Sequence, residues 1–267
     1  MTLSFYTLAS GSSGNSYLIQ SSEATILLDV GITGKRIIAG IEKFNKSMDQ
    51  VDGIMLTHEH IDHVRNIRMI SRKSVNAKVY GSAGTLEAIS DKVNEDSLVY
   101  IQQTRSFTVK DINVTTFNLS HDASEPVGFS FEKEGKRITV ITDTGIILEE
   151  MEPIIEDTDL LVLEANHEVN ILMMSERYPY SLKNRIRGDK GHLSNESAGQ
   201  CLLNMLQGRK KEGMPKVYLA HLSKESNTPS HALLTVRNIL AEEGFLVDRD
   251  LELNVLERDK EGPLVEI

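Results

Sequence analysis

The sequence predicts an α/β layered fold in which mixed sheets are covered by helices. Short apolar runs rich in β-branched residues recur along the chain, which is typical of buried strands. Three other segments place their apolar residues at helical spacing. Strands come first, then strands and helices mix, and the chain closes on a strand followed by a helix. This order indicates helices packed on mixed sheets.

The predicted strands are bounded by turn-forming or charged residues, and each is four to six residues long or slightly shorter. In chain order they are Leu3–Leu8, Tyr17–Ile19, Thr25–Leu28, Gly53–Leu56, Ile112–Phe117, Val127–Phe131, Arg137–Ile141, Leu160–Leu163 and Val217–Ala220.

Three segments have the apolar spacing of amphipathic helices. The first carries Ile37, Ile38, Ile41 and Phe44; the second carries Ala198, Cys201, Leu202 and Met205; the third carries Leu233, Val236 and Leu240.

The length of 267 residues suits one large domain or two small ones. No low-complexity tract, repeat or linker divides the sequence, so we predict one domain over residues 1–267. The formal net charge is −10, which argues against broad nonspecific coating of nucleic acid. This net charge does not exclude a local basic strip. Acidic residues gathered around metal ions would contribute to the negative charge.

The sequence also bears on the compartment. Its first residues, "MTLSFYTLAS", lack the basic start and long apolar core of a signal peptide, so we expect a cytoplasmic protein. No apolar run has the length that a membrane span requires, so we expect no membrane partner. The single cysteine, Cys201, rules out an internal disulfide framework and fits a reducing compartment. Its helical position indicates core packing.

Acids and histidines follow five of the predicted segments. Asp29, His58, Asp143, Glu164 and His221 each end a strand or come just after one. Side chains at such positions stand on a rigid scaffold and face outward, which is where functional groups collect. Five segments that deliver the same residue types indicate one shared site.

The densest cluster is "THEHIDH", which contains His58, His60, Asp62 and His63. Histidines two apart on an extended segment point to the same side. Imidazole and carboxylate together suit zinc, manganese or iron. One ion rarely takes four ligands from six consecutive residues, so two ions sharing the segment is the better geometric interpretation. The alternative is a polar helix start with surface histidines.

A binuclear site needs further ligands, and the candidates are His121, Asp143 and His221. Each of them, taken alone, could be a turn residue or a hydrogen-bonded buried side chain.

These motifs resemble the H-x-H-x-D-H signature and accompanying residues of the metallo-β-lactamase superfamily. The resemblance implies a four-layer αβ/βα sandwich of two mixed sheets flanked by helices. It implies that one metal is bound by His58, His60 and His121, and the other by Asp62, His63 and His221. It further implies that Asp143 bridges the two ions and that Asp29 supports the ligands from behind.

Such a pair of ions would lower the pKa of a bridging water and supply hydroxide at neutral pH. The hydroxide would attack an electrophilic carbon or phosphorus, and the ions would hold the developing charge. Asp62 is expected to orient that water or accept its proton.

Two segments favour a phosphodiesterase. "DLLVLEAN" and "GHLSNESA" resemble the segments of the tRNA-processing enzyme RNase Z whose glutamate and histidine protonate the leaving oxygen. The matching residues are Glu164 and His192. The alternative for His192 is an exposed residue before a helix capped by Ser194. Leu163 replaces the first histidine of the RNase Z "HEAT" segment, and no long arm for tRNA is evident, so tRNA processing is not expected.

The pattern as a whole resembles the YycJ family, also called WalJ or VicX, through "SGSSGN", "EANH" and "GHLSN". This resemblance implies a cytoplasmic 5′→3′ exonuclease acting on double-stranded DNA. Two alternatives stay open. One is a small-molecule hydrolase acting on a cyclic phosphodiester, lactone or thioester, and the other is a non-catalytic metal-binding regulator.

Several residues are candidate substrate contacts. The loop "ASGSSGNS" could cradle a phosphate or simply connect two strands, and His167 could line the site or cap a helix. The stretch "ERYPYSLKNRIRGDKGH" is a basic strip that could follow a nucleic-acid backbone or be a solvated helix face. The candidates are Ser12, Ser13, Asn15, His167, Arg185, Arg187 and Ser194. His231 is expected to be structural. Oligomeric state stays open.

Overall fold

The computed structural model describes residues 3–267, so Met1 and Thr2 of the predicted domain lie outside the described residues. The chain forms two compact units. Unit 1 comprises residues 3–118, 123–135 and 259–267, and unit 2 comprises residues 119–122 and 136–258. That residues 1–267 act as one domain stays a prediction.

Within residues 3–267 the strands are β1 (Ser4–Ala9), β2 (Ser16–Gln20), β3 (Thr25–Leu28), β4 (Gly53–Met55), β5 (Lys78–Gly81), β6 (Leu98–Tyr100), β7 (Ser106–Val109), β8 (Ile112–Asn118), β9 (Val127–Lys133), β10 (Lys136–Ile141), β11 (Leu160–Glu164), β12 (Lys216–Ala220), β13 (Glu252–Val255) and β14 (Leu264–Glu266). The α-helices are α1 (Gly34–Glu42), α2 (Ile61–Val64), α3 (Ile67–Lys73), α4 (Ala83–Glu87), α5 (Glu152–Glu156), α6 (Val169–Met174), α7 (Tyr180–Ile186), α8 (Asn195–Gly208) and α9 (Pro229–Glu242).

Unit 1 contains a mixed sheet with the strand order β14-β1-β2-β3-β4-β5-β6. Its first half, from β14 to β3, is antiparallel, and its second half, from β3 to β6, is parallel. Strands β7, β8 and β9 of the same unit pair as an antiparallel meander. The parallel strands require crossovers, and α1 to α4 lie in these connections.

The core of unit 1 lies where α1 packs beside the sheet. Ile37 and Ile41 are fully buried, four residues apart, and so form one apolar face of α1. They share a hydrophobic cluster with Leu8 of β1 and Leu27 of β3. Burying one such side chain contributes about 1.5–3 kcal/mol, so this face is enough to hold a short helix whose isolated stability would be marginal.

Unit 2 contains four parallel strands in the order β10-β11-β12-β13. Strand β11 is buried along its whole length, as expected for a strand between two neighbours in a parallel sheet. The carboxyl ends of these strands meet at one edge, so residues that follow β10, β11 and β12 are brought together there.

All nine predicted strands and the three predicted helices are confirmed, and most of their ends lie within three residues of the predicted ends. Helices α8 and α9 extend slightly beyond the apolar residues from which they were predicted. The strands that the sequence did not reveal are β5, β6, β7, β13 and β14. Each is three or four residues long and partly exposed, so its apolar signal is weak. Within residues 3–267, no helix has both the length and the apolar character needed to cross a membrane.

Candidate metal-binding clusters

Three of the predicted site residues have a left-handed backbone conformation. Asp29, Asp143 and His221 have φ values of 58°, 61° and 55° and come within two residues of the ends of β3, β10 and β12. Left-handed backbone is uncommon outside glycine. Functional sites can hold backbone of this kind, but six other non-glycine residues among residues 3–267 adopt it too, so here it describes how the chain turns at these strand ends.

In unit 1, the first cluster consists of His58, His60, Asp62 and His63, between β4 and the first turn of α2. The ring centroids of His58 and His60 are 4.6 Å apart, and those of His58 and His63 are 4.1 Å apart. An Asp62 carboxylate oxygen lies 3.7 Å from Nε2 of His63. The motif therefore gathers imidazoles and a carboxylate.

Asp29 and Thr57 hold the rings of this cluster from behind. The Asp29 carboxylate accepts a 2.7 Å hydrogen bond from Nδ1 of His63 and a 2.9 Å bond from the Thr57 amide. The Thr57 hydroxyl lies 3.0 Å from Nδ1 of His58 and 3.0 Å from an Asp29 oxygen. Since a carboxylate can only accept, His63 carries its proton on Nδ1 and offers Nε2 as a ligand atom.

The backbone of the first cluster is fixed by the loop after β3 and by Asn15. The amide of Val30 donates to the His63 carbonyl at 2.7 Å, and the Asn15 amide donates to the Asp62 carbonyl at 2.8 Å. A Cβ on Gly31 would lie 1.6 Å from that same Asp62 oxygen, so position 31 requires glycine. The Asn15 side chain is buried and its Nδ2 lies 3.0 Å from Nε2 of His63.

In unit 2, the second cluster consists of His121, Asp143, Glu164, His192 and His221. Asp143, Glu164, His192 and His221 each offer a ligand atom, and these atoms lie within 4.8 Å of one another. Asp143, Glu164 and His221 stand at or just after the carboxyl ends of β10, β11 and β12. His192 stands in the segment before α8.

Glu164 is the centre of the second cluster. Its Oε1 accepts hydrogen bonds from Nδ1 of His192 and Nδ1 of His221, both at 2.8 Å. Its Oε2 accepts from the amides of Thr144 and Leu193, at 2.9 Å and 3.2 Å. Burial raises the pKa of this carboxyl, but His192 and His221 outweigh burial and lower the pKa to about 2. Glu164 is therefore an anion that orients two imidazoles at once.

The histidines of the second cluster have different environments. Burial lowers the pKa of His192, but the charge and hydrogen bond of Glu164 outweigh burial and raise the pKa above its ordinary value. Burial lowers the pKa of His121, whose Nδ1 donates to the Gly191 carbonyl at 3.0 Å. His192 thus tends to be protonated, as a proton donor must be, whereas His121 tends to be neutral, as a metal ligand must be.

The donor chemistry of both clusters fits divalent metal ions. His63, His121 and His221 direct Nδ1 to a carboxylate or carbonyl, which leaves Nε2 as the ligand atom. This arrangement, with a protein acceptor behind each imidazole, is that of metal-ligating histidines. Imidazole together with Asp143 and Asp62 carboxylates suits zinc, manganese or iron.

The structure places the remaining candidates as follows. Ser12 and Ser13 are exposed in the loop between β1 and β2, and Ser13 hydrogen-bonds to Asp259. Ser194 is the N-cap of α8 and accepts a hydrogen bond from the Ser197 amide. His167 is buried, and burial lowers its pKa to about 4.

The structure also places Cys201 and His231, to which the sequence assigned structural roles. Cys201 is buried on α8, and burial raises the pKa of its thiol to about 12, so the prediction of core packing is confirmed. His231 lies in the first turn of α9, where its amide donates to the Thr228 hydroxyl. This contact fits the structural role expected of His231.

Sequence reasoning missed three supporting residues. Thr57 touches the rings of the first cluster, and the Thr144 amide holds Glu164. Asn166 donates from Nδ2 to the His221 carbonyl at 2.9 Å and so supports its left-handed backbone. Each stands within two residues of a predicted site residue, and this adjacency is the sequence feature that could have identified it.

The chain is similar to known proteins over most of its length. A family model described as "Beta-lactamase superfamily domain" matches residues 25–211. The chain is 36% identical over 265 residues to the exodeoxyribonuclease WalJ of Streptococcus pneumoniae serotype 2, covering 97% of this chain and 96% of that protein. It is 34% identical over 257 residues to the exodeoxyribonuclease YycJ of Bacillus anthracis, covering 95% of each.

A solved structure shows the same fold. The metallo-beta-lactamase fold protein YhfI from Bacillus subtilis matches with a TM-score of 0.73 over 100% of both chains, at 15% sequence identity. At this identity the likeness concerns the fold alone.

Proposed function

The chain is a hydrolase that belongs to the beta-lactamase superfamily and has the fold that its sequence predicts, and from this premise we propose that it is a metal-dependent 5′→3′ exonuclease acting on double-stranded DNA in the cytoplasm. The predicted resemblance to the YycJ family is confirmed by the 34–36% identity to two exodeoxyribonucleases of that name and its synonym WalJ. The observation that carries the proposal is the hydrogen bond between Glu164 and His192.

We propose that both clusters serve one binuclear centre. His58, His60 and His121 would hold one ion; Asp62, His63 and His221 would hold the other; and Asp143 would bridge them. Manganese or zinc are the leading candidates, and iron is a further one. When bound, two such ions supply a lowered pKa for coordinated water and stabilisation of negative charge on the phosphate.

His192 is proposed to protonate the leaving oxygen. An alkoxide is a poor leaving group, so cleavage of a phosphodiester needs a proton donor at that oxygen. Glu164 orients the His192 ring and raises its pKa, which favours the protonated form that a proton donor needs. A lactone or thioester hydrolase has less need of this pair, which is why we prefer a phosphodiester substrate.

Other residues have supporting roles in this proposal. Asp62 would orient the attacking water or accept its proton. The Asp29 carboxylate accepts a hydrogen bond from the His63 ring and so keeps it in place. Asn15 contacts the same ring through Nδ2, and its Oδ1 accepts a hydrogen bond from the Gly11 amide of its own loop. We therefore assign Asn15 to positioning as well as to the candidate phosphate loop formed with Ser12 and Ser13. Ser194 and His167 stay candidate substrate contacts.

The proposal is tested by digestion of end-labelled linear duplex DNA with protein stripped of metal and reloaded with Mn²⁺ or Zn²⁺. Thymidine 5′-p-nitrophenyl phosphate serves as a small diester in parallel. We expect progressive loss of DNA from the 5′ end, abolished by chelation and restored by metal. Turnover of the small diester without DNA loss would favour the small-molecule hydrolase, and inactivity on both would contradict phosphodiester cleavage.

Charge reversal in the basic strip should separate DNA from small substrates. Arg187→Glu is expected to weaken DNA binding about tenfold and to flatten its salt dependence, because a phosphate contact is lost. Turnover of the small diester should be unchanged. Arg185 is a poorer choice, since its Nε is already 2.5 Å from the Asp122 carboxylate.

The matched control is Lys210→Glu, which makes the same charge change at an exposed position outside the strip. Binding is measured at two salt concentrations. If both variants weaken DNA binding alike, net charge rather than the strip governs affinity.

A further inference from the structure

The basic strip leads directly to the proposed proton donor. Helix α7 ends at Ile186, and the His192 amide donates to the Ile186 carbonyl at 2.8 Å. The hydroxyl of Ser120, which precedes His121 in the chain, donates to the Asp189 carbonyl at 2.7 Å. A ligand lying along α7 would therefore reach the second cluster.

The five basic side chains of the strip are not equivalent. Arg177 forms an ion pair with Glu225, and Arg185 forms one with Asp122. Among residues 3–267, no acidic side chain pairs with the other three, which are Lys183, Arg187 and Lys190. Lys183 and Arg187 donate to the carbonyl and the sulfur of Met173, which carry no charge, so these charges are not neutralised within the protein.

Large apolar side chains are exposed in the strip and just before it. Met174 is 82% exposed and Tyr180 is 68% exposed, among the highest values for large hydrophobic residues within residues 3–267. Helix α7 has no buried residue at all. Tyr180, Lys183 and Arg187 are spaced i, i+3 and i+7, so they share one helical face about 10 Å long. This face combines one aromatic ring with two cations.

We infer that this face binds an unpaired DNA end by stacking a base on Tyr180 while Lys183 and Arg187 contact the phosphates. The inference rests on the proposed function and narrows its substrate. A blunt duplex offers phosphates to the cations, but its base faces are hidden within the stack. A single strand offers both, and stacking platforms beside a cationic groove are the usual way of binding it.

The test measures binding of metal-loaded protein to fluorescent duplexes with phosphorothioate ends, which resist cleavage during the measurement. Blunt, 5′-overhang and 3′-overhang duplexes are compared for the wild type, Tyr180→Ala and Tyr180→Phe. We expect Tyr180→Ala to weaken binding of one overhang duplex about tenfold, with less than a twofold change for the blunt duplex. Tyr180→Phe should bind as the wild type does, because stacking needs the ring and not the hydroxyl.

Tyr100→Ala is the matched control, since Tyr100 is a second exposed tyrosine, 55% exposed on β6 and outside the strip. Turnover of the small diester checks that each variant is folded. Equal losses for blunt and overhang duplexes, or no loss for Tyr180→Ala, would overturn the stacking surface while leaving the nuclease proposal intact. A wild type that neither binds nor digests any DNA would overturn both.

Discussion

Glu164→Ala is expected to lower DNA digestion roughly a thousandfold or more, through two losses at once. A positioned general acid contributes about 10²–10⁴-fold, and removal of the carboxylate behind a ligating histidine costs about 10–100-fold in metal affinity. In the proposed mechanism Glu164 would support both the acid His192 and the ligand His221, since its Oε1 accepts hydrogen bonds from both rings. The variant should therefore show weaker metal binding as well as slower cleavage.

His192→Ala separates these losses and is the matched comparison. It should slow DNA digestion but leave metal content unchanged and largely spare the p-nitrophenyl diester, whose leaving group needs no proton. Glu164→Ala should impair both substrates. Measurement of bound metal alongside the two rates distinguishes them. Equal metal content in both variants would show that Glu164 does not support His221.

His60→Ala is expected to abolish activity on DNA and on the small diester alike. Metal ions contribute several kcal/mol to such reactions, and each ~1.4 kcal/mol is tenfold in rate, so the loss should be at least about a thousandfold. The stability of the protein should change little, because His60 is only partly buried. Rates, metal content and thermal unfolding are measured on the same preparation.

His231→Ala provides the control for this result, since it removes a histidine that lies in the first turn of α9. It should keep both activities and its full metal content. A His60→Ala protein that retains the wild-type rate on either substrate would contradict the ligand assignment in the first cluster.

Much of the candidate site could be predicted because its residues are local in sequence or stand at strand ends. His58, His60, Asp62 and His63 fall within six residues, and β10, β11 and β12 bring Asp143, Glu164 and His221 to one edge. The strands themselves were evident because buried β-branched runs give a strong signal.

The supporting contacts were harder to predict, because they depend on which loops meet. Asn195 and Asn227 exchange side-chain hydrogen bonds of 2.8 Å and 3.1 Å although they are 32 residues apart. Nδ2 of Asn227 also donates to the Ala165 carbonyl next to Glu164. No periodicity or spacing reveals such a pair. The same holds for Asn15, whose loop was predicted but whose contact with His63 was not.

The left-handed strand ends have an evolutionary consequence. At Asp29, Asp143 and His221, glycine could adopt the observed backbone without steric cost, whereas a side chain there carries a penalty of order 1–3 kcal/mol. Under the proposed roles, selection for chemistry would oppose glycine at Asp143 and His221, whereas the Asp29 carboxylate also satisfies the buried Thr57 amide and His63 ring and so contributes to folding as well. The proposal therefore predicts that a lineage without catalysis would accept glycine or asparagine at Asp143 and His221 more readily than a lineage that keeps it.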